Sequence, residues 1–320
     1  MRKYFLVLLV AVSLFLSSCG GGGGGLSAET IDGTDGLVLQ FLPNSPPEQI
    51  IIGDKDDTFG VIIQARNGGA FSAASGLQGK IFLGGYDRNI IDIKESSQGM
   101  ESKFLEKRDA ANPKGGLDLF EFDGKVNANS LLAESYNFNI LATACYNYET
   151  KAGPSVCIDP KPYDSGVEKA CVVEPISLNS QGAPIAITSI EEEVLAEEIQ
   201  FRITIKNVGG GRAIKKGTAD DCNPFDNKVN LRQNIDFVYL KEGGPKIGSD
   251  VLTCRPSNED KSIIRLIEGE GFIICKWKKP DAMKNKDYGL KQGYTTPLTI
   301  NIDYLYMSSI QQPVQVIKRE

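Results

Sequence analysis

Tyr136-Asn-Phe-Asn-Ile-Leu-Ala-Thr-Ala-Cys145-Tyr146-Asn-Tyr148 sets polar and apolar residues in alternation. The pattern returns at Tyr294-Thr-Thr-Pro-Leu-Thr-Ile-Asn-Ile-Asp-Tyr304-Leu-Tyr306. Alternation at period two marks a strand with one buried face. With a constant offset of 158 and no gap, Tyr136–Ile158 lies over Tyr294–Val316. Tyr136 then falls on Tyr294, Tyr146 and Tyr148 on Tyr304 and Tyr306, Val156 on Val314 and Ile158 on Val316. Each copy is expected to close as a hairpin: the alternating strand, Tyr-x-Tyr, a seven-residue connection, then a short strand.

A second repeated pair lies upstream. Phe59-Gly-Val-Ile-Ile-Gln-Ala-Arg-Asn67-Gly68-Gly69 is similar to Phe201-Arg-Ile-Thr-Ile-Lys-Asn207-Val-Gly209-Gly210. Each reads as a strand running into an Asn-Gly bend, where glycine is expected to supply a positive φ. Repetition at ~150 residues implies duplicated domains, because a solenoid repeats every ~20–50. Between these landmarks lie short runs rich in Val, Ile, Phe and Tyr, such as Leu37–Phe41, Gly79–Tyr86 and Gly271–Trp277, separated by Gly, Pro, Asn and Asp. Helical periodicity is scarce. Its best candidate, Ile190–Ile199, carries five glutamates and reads equally as a charged approach to a strand. The expected fold is all-β: two tandem immunoglobulin-like antiparallel β-sandwiches over 36–160 and 169–320, joined by a linker at 161–168.

Composition narrows function by exclusion. The 320 residues carry 35 Lys+Arg against 41 Asp+Glu, a formal charge of −6. Without a basic stripe, nucleic acid is not an expected partner. Histidine is absent, which removes Ser-His-Asp and Cys-His nucleophile systems and His-ligated metals. The runs Gly20–Gly25 and Gly209–Gly211 lack a following Lys-Ser/Thr, so neither is a phosphate loop.

Arg2 and Lys3 precede an apolar run, Tyr4–Leu16, too short for a bilayer-spanning helix of about 20 residues. Leu16-Ser17-Ser18-Cys19 resembles the lipobox of prokaryotic lipoproteins; an ordinary secretory cleavage site is the other reading. The resemblance implies that 1–18 is a signal peptide cut before Cys19. It also implies that Cys19 is lipidated, and that 19–35, with its run of six consecutive glycines, Gly20–Gly25, is a flexible tether. Six cysteines remain: Cys145, Cys157, Cys171, Cys222, Cys254 and Cys275. An even number in an exported chain points to disulfides, and no CxxC pair supports a zinc or thioredoxin site. If Tyr146 lies opposite Val156 in a hairpin, Cys145 meets Cys157. Cys254–Cys275 and Cys171–Cys222 then follow, every bridge inside one domain. The rival set joins Cys157 to Cys171 and Cys145 to Cys222 across the domains.

The strand ending Lys-Asn207-Val-Gly-Gly-Gly resembles the motif of CARDB-type domains, immunoglobulin-like modules of archaeal and bacterial surfaces. Residues 36–158 also resemble the first half of archaeal lipoproteins with a Cys-Tyr-x-Tyr-x-Thr strand, here Cys145–Thr150, followed by Val-Cys-Ile-Asp-Pro, here Val156–Pro160. Neither resemblance implies an activity.

Three features could carry a site. Tyr146 and Tyr148 could form an aromatic platform for a glycan or peptide, but alternation puts them on the face of Ile140, Ala142 and Ala144, the expected core. Tyr294 resembles a tyrosine corner. Asp54, Asp56 and Asp57, and Asp220, Asp221, Asn223 and Asp226, could offer oxygens to calcium, yet neither set has EF-hand spacing and both suit solvated turns. No carboxylate pair is marked for glycoside hydrolysis. The expectation is a lipid-anchored cell-surface protein with a non-catalytic structural, adhesion or ligand-display role and no cofactor. Its partners would be the membrane, through the anchor, and a surface protein or glycan. The alternative is a solute- or carbohydrate-binding lipoprotein that feeds a transporter or surface enzyme system.

Overall fold

In the computed structural model, the structure describes residues 31–53, 57–73, 77–164, 166, 168–227, 229–255, 262–284 and 293–319. Cys19 and the expected signal and tether residues up to Thr30 lie outside them, as do Asp54 and Asp56. The first half forms β1 (Leu37–Phe41), β2 (Gln49–Ile52), β3 (Asp57–Asn67), β4 (Leu77–Gly84), β5 (Ile91–Ile93), β6 (Ser97–Ser102), β7 (Leu117–Val126), β8 (Ser135–Ala152) and β9 (Ser155–Ile158). The second forms β10 (Ile176–Ser177), β11 (Ile185–Val194), β12 (Glu198–Asn207), β13 (Arg212–Ile214), β14 (Phe237–Leu240) and β15 (Lys246–Ile247). It continues through β16 (Asp250–Val251), β17 (Thr253–Arg255), β18 (Ile263–Arg265), β19 (Glu270–Lys278) and β20 (Tyr294–Lys318). The glutamate-rich 190–199 segment is not helical. It is the end of β11, a turn and the start of β12, with Ile190, Ile199 and Phe201 buried.

The all-β antiparallel class expected from the pattern is what forms. Two outer sheets run β1-β3-β7-β5 and β10-β11-β12-β19-β17. A central sheet runs β16-β15-β20-β8-β4-β6, with β2, β9, β13 and β14 also paired to β20. The residues expected as a linker are irregular, but the halves on either side are joined laterally. β8 and β20 pair without a break from Ile300↔Ala152 to Ile317↔Ser135. One cluster of buried residues spans both halves, and the chain from Ile31 onward forms one compact unit.

The repeat explains this pairing. Asn147 lies opposite Leu305, the residue 158 positions on, which is the repeat offset. A local two-fold axis therefore passes between β8 and β20, as at an isologous dimer interface. The pairing is reciprocal around it: β9 pairs with the start of β20, Ile158↔Tyr294, while the end of β20 pairs with the start of β8, Val316↔Tyr136. The two expected hairpins do not exist. β20 is one continuous strand, and β9 turns away from its own half to extend the other.

The disulfides follow from that correction. Cys157 faces Thr295 across the β9–β20 pairing, not Cys145. The bridges are Cys145–Cys222, Cys157–Cys171 and Cys254–Cys275. Thus Cys254–Cys275 stands as expected, and the pairings Cys145–Cys157 and Cys171–Cys222 are replaced by the rival set. Cys145 points to the back of the central sheet. There Ala219, Cys222, Phe225, Leu231 and Ile235, from the stretch between β13 and β14, pack with Phe82, Ile214 and Leu305 in a second small core. Cys222 pins that segment down.

Candidate functional site

The central feature of the front face is a pair of matching hydrogen-bond cages. Tyr146, Tyr148, Tyr304 and Tyr306 are all buried, with Tyr146 opposite Tyr306 and Tyr148 opposite Tyr304. Their rings meet edge-on or tilted, with centroids 5.8–6.2 Å apart, a favourable aromatic geometry. In the first half, the Tyr148 hydroxyl donates to Asn67 Oδ1 (3.3 Å) and accepts from Phe71 N (3.4 Å), while Asn67 Nδ2 donates to Phe71 O (2.7 Å). In the second, the Tyr306 hydroxyl donates to Asn207 Oδ1 (2.9 Å) and accepts from Gly211 N (2.9 Å), while Asn207 Nδ2 donates to Gly211 O (2.8 Å). The asparagine thus clamps the residue four positions on, and the tyrosine seals the clamp.

The cage also explains the repeated glycine. Neither Gly69 nor Gly209 has a positive φ, contrary to the expectation for an Asn-Gly bend. A Cβ on Gly69 would collide with the Tyr148 hydroxyl, and one on Gly209 would sit 2.6 Å from the Tyr306 hydroxyl. Glycine is needed for close approach, not for its backbone freedom.

These tyrosines are therefore core, not platform. Burial holds the Tyr146 and Tyr304 phenols well above their ordinary pKa and raises Tyr306 to about 12. They stay neutral hydrogen-bonding groups. Tyr294, expected as a corner, begins β20 opposite Ile158, and it is its repeat equivalent, Tyr136, whose hydroxyl accepts from a loop amide, Asp87 N, at 2.9 Å.

The carboxylates proposed for calcium serve the chain itself. Asp221 accepts from both the amide and the hydroxyl of Thr218, Asn223 accepts from Phe225 N, and Asp220 pairs with Lys80 at 2.8 Å. Asp57 accepts from Thr58 N at an exposed strand end. Among the described residues, no group of three or more His, Cys, Asp or Glu is placed to hold a metal. Glu149 and Asp303 lie directly opposite each other on the back face, and Lys241 and Lys216 hold one oxygen of each at 2.8 and 2.7 Å. Period-two alternation, with Tyr148 and Tyr304 facing the front, puts both carboxylates there.

Two hollows remain. One, of about 210 Å³, sits beside the Cys157–Cys171 bridge and is lined by Asp159, Lys169, Glu192, Val172 and Tyr163. Asp159 is buried and paired to Lys169 at 2.6 Å; Glu192 Oε1 is buried and, among the described residues, has no hydrogen-bond partner. Burial, with Asp159 adding to it, raises Glu192 to about 8. The nearby Lys279 is pushed down by its own burial, against the pull of Glu197 and Asp159. A raised carboxyl favours the fold in its protonated form, so its stabilising effect is complete below pH ~4.5 and is lost as the pH rises through 8. Glu192→Gln should remove that slope. It should raise stability at pH 9 by about 1–2 kcal/mol, discounting for partial exposure. Urea melts from pH 5 to 9 check this, and an unchanged slope would refute it.

The other hollow, of about 580 Å³, lies at the Asn207 cage and is lined by Asn207, Gly210, Gly211, Arg212, Asp236 and Glu268, with Gly269. It is open at the Asn-Val-Gly-Gly-Gly bend. The equivalent Asn67 is fully buried. Arg212 pairs with Asp236 at 3.5 Å, leaving the rim with two carboxylates to one guanidinium.

No family profile matches the chain, and neither does any curated protein. Among solved structures, the C-terminal domain of the AgI/II polypeptide BspA of Streptococcus agalactiae aligns at 8% identity and a TM-score of 0.16, over 89% of this chain and all of that one. A partial N-terminal region of enterococcal surface protein aligns at 8% identity and a TM-score of 0.14, over 89% of this chain and 86% of that one. Likeness at these scores carries no structural or functional inference.

Proposed function

We propose that the protein is exported and held by a lipid on Cys19 at the outer face of a cell membrane or outer membrane, where it serves as a rigid, non-catalytic structural or adhesive module. The observation that carries this reading is the pairing of all six cysteines beyond Cys19 into three bridges. Such bridges form and persist in oxidising, extracytoplasmic compartments. The Leu-Ser-Ser-Cys19 sequence and the six glycines after it supply the anchor and the tether. The non-catalytic role is supported by where the polar side chains are spent: the tyrosines on the cages, and the acidic turns on their own backbone and on lysines.

Cys19→Ala should abolish lipid labelling and move the protein from the membrane to the soluble fraction, with the disulfides intact by non-reducing peptide mapping. A variant still wholly in the membrane fraction would rule out the anchor. Free thiols at all six positions would rule out export. A glycan array then separates adhesion to sugars from a purely structural role.

A further inference from the structure

The two halves differ in what covers the asparagine cage. In the first half, fourteen residues separate β6 from β7, and they fold back over Asn67. Leu105 is fully buried and its carbonyl accepts a second bond from Asn67 Nδ2 at 3.1 Å. Gly116 N donates to Glu106 O at 2.9 Å, and Arg108 N donates to Gly69 O at 2.8 Å. The loop thus runs as a short extended piece, held through its backbone between the strand end and the bend.

In the second half, β18 and β19 occupy the places of β6 and β7, and a tight turn at Ile267–Glu270 joins them. The correspondence is fixed by hydrogen bonds: Asn67 N donates to Gly116 O and Asn207 N to Gly269 O, at 2.9 and 2.8 Å. Among the described residues nothing takes the place of the 103–109 loop, and the hollow at Asn207 is what its absence leaves. By strand register and the asparagine bonds, Asn207, Gly269 and Gly209 correspond to Asn67, Gly116 and Gly69, the residues that hold the loop in the first half. Among the described residues, Asn207 Nδ2 makes one hydrogen bond, to Gly211 O, where Asn67 Nδ2 makes two.

We infer that this hollow is a docking site for an extended, basic peptide segment of a partner protein, bound through its backbone as the 103–109 loop is bound in the first half. The occupant is specified by the molecule itself. A carbonyl seats on Asn207 Nδ2, the next carbonyl on Gly269 N, and an amide two residues further on Gly209 O. Main-chain bonds of this kind give affinity, and flanking side chains give selectivity. The basic preference follows from the rim, where Asp236 and Glu268 outnumber Arg212. The loop that fills the first half is itself basic on balance, with Lys103, Lys107 and Arg108 against Glu106 and Asp109. The volume lies within the ~300–1,000 Å³ of ligand pockets. The inference holds whether or not the chain is lipid-anchored.

The test uses the full chain with Cys19→Ala and an end-blocked, fluorescent peptide of the sequence Lys103–Asp109. Fluorescence anisotropy should show saturable binding. Gly210→Trp should weaken it at least tenfold, because a Cβ at Gly210 meets nothing within 4 Å and the indole can enter the hollow without disturbing the cage. Amide resonances of Gly209, Gly269 and the Asn207 side chain should shift on titration. Binding unchanged by Gly210→Trp overturns the site. So does no saturation up to millimolar peptide with the resonances still. Concentration-dependent self-association abolished by Gly210→Trp would make a second copy the occupant, and would overturn the partner peptide.

Discussion

A chain divided between residues 160 and 168 should give two halves, neither of which melts cooperatively as a monomer. The reason lies in the reciprocal pairing. The first half would lose the partner of the whole of β8, of β9 and of β2, because all three pair with β20. The second would keep β20 with its front-face Tyr304 and Tyr306 stripped of Tyr148 and Tyr146. Exposing edges of that length invites pairing with other chains. The local two-fold at Asn147 and Leu305 says how: an isolated half can set its own strand antiparallel to a second copy of itself. Size-exclusion chromatography should therefore find dimers or aggregates, and mixing the two halves should restore a cooperative melt. Two monomeric halves, each with its own sharp transition, would show that the shared sheet is dispensable.

The strands were legible because alternation is local. The runs at Leu37, Phe59, Tyr136 and Phe201 all became strands with the expected face inward. The tyrosine pairs were legible as core for the same reason. Which strand pairs with which was not legible, because the same alternation fits a hairpin within one half or a ladder between two. The constant offset of 158 did hold the answer in part: equivalent strands can meet about a two-fold axis, and β8 and β20 do. The cysteines then followed the ladder. Cys145 could be placed on the back of its strand, but Cys222 sits in a segment with no repeat partner, and nothing local ties the two together. The Asn-x-Gly motif was visible in both halves. Its meaning was not, since the group that the glycine makes room for is a tyrosine hydroxyl about 80 to 100 residues away in the chain.

The same asparagine should be worth different amounts in the two halves. Asn67→Ala removes the acceptor of the Tyr148 hydroxyl and of Gly69 N, and the donor to Phe71 O and Leu105 O, at a residue with no exposed surface. Buried polar groups left without partners cost ~1–3 kcal/mol each when water cannot reach them. With partial relaxation, Asn67→Ala should destabilise by about 3–5 kcal/mol. Asn207→Ala breaks the matching bonds to Tyr306 and Gly211, but beside the open hollow, where water can replace them. Its cost should be about 1–2 kcal/mol, close to the net value of the bonds themselves. Tyr148→Phe and Tyr306→Phe should reproduce the order at smaller size, because each removes a single hydroxyl. Urea unfolding of the four variants with disulfides intact, read at a common m-value, measures the difference. Equal costs at Asn67 and Asn207 would mean that the second cage is as dry as the first, and the hollow beside it would then not be open to water or to a peptide.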